Sequence, residues 1–520
     1  MSTTTTARAG AREWGGLAIL SLPTVLLGLD VTVLYLALPS LAEDLRPSGT
    51  EELWIMDAYG FLIAGFLITM GTLGDRIGRR RLLLLGAAAF GVVSVLAAYS
   101  TSAEMLIAAR AALGIAGATL MPSTLALISN MFSDERQRSL AIGVWATSFA
   151  LGMALGPVVG GAMLDHFWWG SAFLLAVPTA VVLLVAAPRL IPEYRAPRSG
   201  RFDLLSVVLS LVAILPVIYA VKRFAKDGLD LATVAATVVG VVFAVVFVKR
   251  QGKLASPLLD MRLFTNRTFS AALSVLLVGL VGVGGSMLLI TQQLQLVEKL
   301  PPVEAGLWMG PPAMLMFLAA IGAPLVSRRV PPGIVVAATL TLSMVGYVLL
   351  TQVDAGDSVV LMVIGFGLVY LGLGAIAALG TDLVVGAAPP EKAGSASAMS
   401  ETVQELGLAL GVAILGSLAT AVYRNRIDAE IPAGTPSDVA ESAGDSLAGA
   451  AASAQRMPEG WFETAKEAAT SGLNTAMLVA AVCTLVLALL SAVVLRHVGV
   501  IGGQPDPEEG VPAERAGSQV

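Results

Sequence analysis

Residues 71–81 read GTLGDRIGRRR. Three glycines, one aspartate and four arginines fall within eleven residues, with an apolar run on each side: LIAGFLITM (62–70) before and LLLLGAAAFGVVSVLAA (82–98) after. A membrane-spanning helix needs about 20 mostly apolar residues. The stretch therefore reads as a tight turn between two membrane helices. Gly71, Gly74 and Gly78 permit close approach and the turn itself. Asp75, Arg76, Arg79 and Arg80, with Arg81, can form a charge network at the membrane surface.

The whole chain has the same character. Of its 520 residues 56% are hydrophobic and 13% charged, against about 25% charged in a soluble domain. Lipid is the expected solvent. The net charge of −5 is small and says little about partners, but the absence of a basic stripe outside the short membrane-flanking loops argues against nucleic acid. A single cysteine, Cys483, excludes an intrachain disulfide and a cysteine metal cluster, and His166 and His497 both stand at expected helix ends. Proton chemistry inside the membrane is left to carboxylates. No G-x-x-x-x-G-K-[ST] occurs, so ATP is not expected as the direct energy source. No catalytic constellation, cofactor or metal site is expected, and the protein is not read as an enzyme.

Counting outward from 71–81 gives fourteen expected spans. Six fall near 14–41, 53–74, 82–100, 104–131, 139–163 and 170–189, then two near 203–221 and 229–248. Six more fall near 268–297, 303–327, 333–352, 357–387, 393–423 and 472–496. The first 13 residues are polar, and the run after them is expected to be a retained span rather than a cleaved signal. With the N-terminus inside, short inner loops hold 18 Lys and Arg, including Arg198, Arg201 and Lys392. Short outer loops hold 5: Arg46, Lys222, Arg223, Lys226 and Lys299. This bias places both termini in the cytoplasm, with Lys222, Arg223 and Lys226 as the one discordant cluster. The expected organisation is a six-helix bundle over 1–195, an inserted pair over 196–262 and a second bundle over 263–497. The outer segment at about 424–470 is read as a small helical flap or a disordered loop, and 498–520 as a disordered tail. GAPLVSRRV (322–330) echoes 71–81 at the matching place in the last six spans, and repeated halves are a transporter signature.

Three further features carry mechanism. Span five contains GVWATSFALGMALGPVVGG (143–161), with small residues at Gly143, Gly152, Gly156, Gly160 and Gly161 and a proline at Pro157. Small residues four apart let membrane helices pack backbone to backbone, and the proline loosens a turn. Arg110, inside LIAARAALGIAG, needs a partner or a wet cavity; both Asp30 and Asp57 are candidates. Acids at membrane depth are Asp30, Asp57, Asp382, Glu401 and Glu405. One such acid costs about 2.5–3.5 kcal/mol on the gentler insertion scale. Its use is competition: a desolvated carboxylate can hold a proton, or release it and hold a cation, but does both poorly at once. Glu401 and Glu405 share one helix face. Tyr35, Tyr59, Trp145, Trp308 and Tyr370, with Met309, could wall a cation site, since cation–π contact adds roughly 0.5–2 kcal/mol.

GTLGDRIGRRR resembles the loop signature G-x-L-[AG]-D-R-x-G-R-R of the major facilitator superfamily at every position. The 143–161 glycine string resembles its antiporter motif, and LGLDVTVLYLALP (27–39) resembles the span-one signature of its fourteen-span drug:proton antiporters. Span thirteen, AGSASAMSETVQELGLALGVAILGS (393–417), extends the likeness over nearly the whole chain. The resemblance implies an all-α integral membrane protein of the major facilitator fold: two six-helix bundles plus two inserted helices, fourteen transmembrane helices in all. It implies a gating role for the 71–81 loop and export of lipophilic cations, dyes and quaternary ammonium compounds in exchange for protons. It also implies the cytoplasmic membrane of a bacterium, no cofactor beyond the proton gradient, and a working monomer. Span ten, WMGPPAMLMFLAA (308–320), has no acid, and early span thirteen has Ser400-Glu401 where some relatives carry two adjacent acids. Alternatives are export of one neutral or anionic natural product, and a receptor or scaffold without transport.

Overall fold

A computed structural model describes residues 9–195, 203–254, 257, 259–356, 359–389, 393–427, 430–432, 435–458, 460–496 and 498. Arg198, Arg201, Lys392, His497 and the tail beyond 498 lie outside them. Among the described residues fourteen helices are long and apolar enough to cross a membrane. The first six spans are α1 (Ala11–Leu45), α2 (Gly49–Ile77), α3 (Arg79–Ala98), α4 (Ala103–Met131), α5 (Glu135–His166) and a broken sixth, α6 (Ser171–Leu174) with α7 (Ala176–Leu190). The inserted pair is α8 (Leu204–Asp227) and α9 (Leu231–Gln251). The last six begin with α10 (Arg267–Gln292), which ends in a π turn, then α11 (Pro302–Val326), α12 (Pro332–Leu350) and α13 (Val359–Gly386). They finish with α14 (Ala393–Gly411), continued through a π turn into α15 (Ser417–Ile427), two short helices α16 (Ser437–Asp445) and α17 (Leu447–Ser453), and α18 (Trp461–Val494).

The helix starts follow from side-chain oxygens that accept the orphan amides of the first turn. Ser48, Ser102, Asp134, Asp203, Asp230 and Asn266 do this for α2, α4, α5, α8, α9 and α10. Prolines sit inside α1, α4, α5 and α11; the Met153 carbonyl that Pro157 frees in α5 accepts from Thr32 Oγ1 of α1 at 3.4 Å, as membrane helices allow.

An even number of crossings puts both ends of the chain on one face, the terminal face, which also carries the α2–α3 turn. In the first half α1 packs on α5, and α4 packs on α2 and α3. In the second, α13 packs on α11 and α12, α10 on α14, and α12 on α18. The inserted hairpin is not a passive linker. α8 lies in the seam between the halves, where Ile218 packs with Phe61 of α2, Ala409 of α14 and Ala413. α9 faces outward with Val234, Val238, Val241, Val242 and Val245 exposed, as a lipid-facing helix should. Arg223 donates to Asp230 at one end of the hairpin (2.9 Å) and Arg250 to Asp203 at the other (2.9 Å).

Two expectations are corrected. Lys222 and Arg223 are not loop residues. α8 runs on to Asp227, and Lys222 turns into the protein, which removes it from the discordant outer-loop charge. The last span starts at Trp461, not near 472, because its first turns bury a face against the flap. Tyr423, Ile427, Val439, Ala443, Leu447, Trp461 and Ala465 form a separate small core. The flap reading of 424–470 is the one that the structure adopts. Ser446 on the flap donates to Glu52 of α2 at 3.2 Å.

Close approaches between the halves gather toward the far face. A Cβ on Gly161 of α5 would strike the Pro302 carbonyl of α11, 2.5 Å away, and one on Gly306 would collide with the Pro157 carbonyl. A Cβ on Gly60 of α2 would lie 3.0 Å from Ala409, and one on Gly416 would lie 2.8 Å from Leu53. Toward the terminal face, a Cβ on Gly143 or Gly322 would meet no atom of the described residues within 4 Å. The seam is closed on the far side.

Candidate functional site

α1 carries Asp30 and α4 carries Arg110 into the middle of the first half. Arg110 Nη1 donates to Asp30 Oδ2 at 2.9 Å, and its Nε donates to the Ile55 carbonyl of α2 at 3.2 Å. The guanidinium lies 4.5 Å from the centre of the Tyr59 ring and 5.9 Å from that of Phe173. Arg110 does not snorkel, since it is 2% exposed. An apolar groove lined by Leu26, Leu29, Val33, Phe173 and Ala176 reaches the Asp30 carboxylate.

Asp57, the other candidate for Arg110, has a different partner. Lys222 Nζ of the inserted α8 lies 2.7 Å from Asp57 Oδ2, and both side chains are buried. The same ammonium sits 4.1 Å from the centre of the Trp54 ring. Lys222 had no place among the expected site residues. Its signal in the sequence was indirect: an aromatic and an acid three apart in Trp54-Ile55-Met56-Asp57 share one helix face and want a cation.

Glu401 and Glu405 lie one turn apart on α14. Glu405 is buried and Glu401 half-buried. Neither has a hydrogen-bond or ion-pair partner among the described residues. Glu405 lies within electrostatic reach of Asp30 and Arg110, and of Glu401. Tyr35 feels Asp57, Tyr370, Arg110 and Glu405 together, and Tyr59 feels both Asp30 and Glu405. Four acids therefore meet two bases across the seam between the halves. Each base is taken by an aspartate, and the glutamates are left without a countercharge. Asp382, near the terminal-face end of α13, is exposed.

Tyr35, Tyr59 and Tyr370 are buried around the cluster, and the Tyr370 hydroxyl donates to Met287 Sδ at 3.2 Å. Trp145 and Trp308 do not join them. Trp145 Nε1 donates to Thr124 Oγ1 at 3.0 Å, which holds the ring in the α4–α5 contact. Trp308 is exposed beside exposed Leu307. Met309 is buried.

The two glycine motifs take distinct places. At the α2–α3 turn, Arg79 Nε donates to Asp75 Oδ1 at 2.7 Å and Nη1 donates to the Pro122 carbonyl at 3.2 Å. Arg80 N donates to Glu193 Oε1 at 2.9 Å, and its Nη1 donates to the Ile191 carbonyl at 2.8 Å. Arg76 is exposed and Gly71 lies against Pro122. Gly78 has φ +115°, and a Cβ there would lie 2.7 Å from the Glu193 carboxylate. Glu193, which sequence reasoning missed, closes the network. On α5, Cβ atoms at Gly152, Gly156 and Gly160 would collide with Val25, Thr32 and Val33 of α1, while Gly161 and Pro157 meet α11. Gly143 has open space and takes no part.

The model of the Major Facilitator Superfamily matches residues 20–412 of the chain. The multidrug efflux pump LfrA of Mycolicibacterium smegmatis is 43% identical over 95% of this chain and 99% of its own. The methyl viologen resistance protein SmvA of Salmonella typhimurium is 37% identical over 86% and 90%. The tetracenomycin C resistance and export protein of Streptomyces glaucescens is 29% identical over 97% and 94%. Among solved structures, a bacterial homolog of the human lysosomal transporter Spinster, inward-facing and unoccupied, superposes with a TM-score of 0.64 at 16% identity, covering 94% of this chain and 98% of that one.

Proposed function

The chain belongs to the Major Facilitator Superfamily, and on that premise we propose that it exports lipophilic cationic drugs, dyes and quaternary ammonium compounds in exchange for protons. The membrane is the cytoplasmic membrane of a bacterium, both termini are cytoplasmic, and the unit is a monomer driven by the proton gradient without a cofactor. One observation carries the reading: Glu405, beside the Asp30–Arg110 pair, and Glu401, one turn away, stand without a basic partner among the described residues at the seam between the halves. A carboxylate removed from water must find a proton or a cation. With both bases committed, these two glutamates are the groups free to exchange one for the other. Tyr35, Tyr59 and Tyr370 supply ring faces and edges beside them.

The closed far side fits loading from the cytoplasm. A cation entering from the terminal face takes the place of protons on the glutamates, and those protons leave to the cytoplasm. After the halves rock about the cluster, protons from outside displace the cation. The α1–α5–α11 glycine packing keeps the seam tight, and the Asp75–Arg79–Arg80–Glu193 network braces the terminal-face end of α2. Alternating access of this kind needs only differential affinity of the two states for the same site.

The test is ethidium efflux from energised cells that make equal amounts of each protein. Glu405→Gln and Glu401→Gln are expected to lose proton-driven efflux at least tenfold. Wild-type rates in both would sink the assignment. The full-length likeness to a tetracenomycin C exporter favours a second reading, export of one neutral or anionic natural product, in which Asp30 or Glu405 serves the proton alone. Proton release on adding a neutral antibiotic, with none on adding cations, would favour it.

A further inference from the structure

Lys222 is a buried cation that the inserted helix delivers to the seam between the two halves. It sits where a ligand cation would sit: 2.7 Å from a carboxylate oxygen of Asp57 and 4.1 Å from the centre of the Trp54 ring, with water excluded. Among the described residues neither Asp57 oxygen nor Lys222 Nζ makes a well-aligned hydrogen bond, so the pair is held by charge alone. A carboxylate beside an aromatic face is the recognition chemistry of an organic ammonium. The lysine also has somewhere to go. It forms one wall of a pocket at the far face, with Thr50, Ser417, Thr420, Arg424 and Asp445 as further walls. A lysine stem is long enough to carry its head from a dry position to a polar rim.

We propose that Trp54 and Asp57 form a second cation-recognition site whose resident in this conformation is the chain's own Lys222, and that a dicationic substrate takes the site by displacing that lysine into the far-face pocket. The inserted helix then sets charge preference. With Lys222 seated, the cluster offers Glu401 and Glu405 to a monocation. With Lys222 displaced, Asp57 adds a further carboxylate. Tyr35 lies within electrostatic reach of both Asp57 and Glu405, so the two sites neighbour one side chain. Replacing a buried pair with neutral groups is tolerated far better than removing one partner, so the double substitution is the clean control.

This inference rests on the cation-export reading. The first measurement uses wild-type protein in detergent, ethidium as the monocation and methyl viologen as the dication. An amine-reactive acetylating reagent is added, and labelling at Lys222 is read by mass spectrometry. Saturating methyl viologen is expected to raise labelling of Lys222 at least fivefold, and ethidium to leave it low. Unchanged labelling with methyl viologen bound would overturn the proposal. The second is the ratio of dication to monocation Kd by calorimetry. Lys222→Met is expected to shift that ratio at least tenfold toward methyl viologen, and Lys222→Met/Asp57→Asn to cancel the shift. An equal ratio in wild type and both variants would also overturn it. If Lys222→Met does not fold, wild-type labelling alone decides. Failure of wild type to bind either cation would count against cation export itself and is distinguishable from failure of the lysine exchange.

Discussion

At the scale of single residues, the fold is organised around charges that need partners. Arg110 and Asp30 form a pair in which the arginine is 2% exposed. Removing one member leaves the other buried and uncompensated, at a cost of about 3–5 kcal/mol. Asp30→Asn is therefore expected to lower the thermal midpoint in detergent markedly. The double variant Asp30→Asn/Arg110→Leu should recover most of the loss, and additive losses would contradict direct pairing. Gly78 is the other single-residue constraint. At φ +115° and close against Glu193, Gly78→Ala should destabilise the α2–α3 turn by about 1–3 kcal/mol, read in the same melting experiment. Asp30, Arg110, Glu401 and Glu405 were legible as charges because each interrupts an apolar run. Their partners were not. Counting residues along a helix gives only depth, and depth left both Asp30 and Asp57 open to Arg110. Which side of the helix each group faces is set by packing, and that put Asp30 against Arg110 and left Asp57 to Lys222. Lys222 itself looked like a loop residue because Arg223 and Lys226 follow it.

At the scale of elements, span counting worked because lipid imposes length and composition directly on the sequence. Capping residues at Ser48, Ser102, Asp134 and Asp230 set the starts in the structure, a signal that span counting did not use. The start of the last span was missed at α18, where residues 461–471 belong to the helix and bury one face, with Trp461, Ala465 and Ala468, against the flap. The α5 glycines were legible as a packing face, though not as a face shared between α1 and α11. Their unequal roles give a prediction. Gly156→Val places carbon where Thr32 of α1 stands, and overpacking of this kind costs about 1–3 kcal/mol. It should reduce efflux and folded yield on a sizing column. Gly143→Ala should match wild type in both. Equal damage from the two would show that the motif works through local helix flexibility rather than through contact with α1.

At the scale of the whole molecule, two six-helix halves meet at the far side around four acids and two bases, with an inserted helix wedged into the seam. The architecture was readable from span count, loop charge and the echo of 71–81 at 322–330. The wedge was not, since a linker of two apolar helices gives no sign of which groove it will fill. The central claim is that the unpaired glutamates exchange protons for cations. Its most direct test uses everted membrane vesicles with an imposed inside-acid gradient and a pH-sensitive dye. Adding ethidium or a quaternary ammonium compound should release protons from wild-type vesicles, and the Glu401→Gln/Glu405→Gln protein, inserted in equal amount, should stay silent. Undiminished release from the double variant would contradict the account, because the exchanging groups would then lie elsewhere.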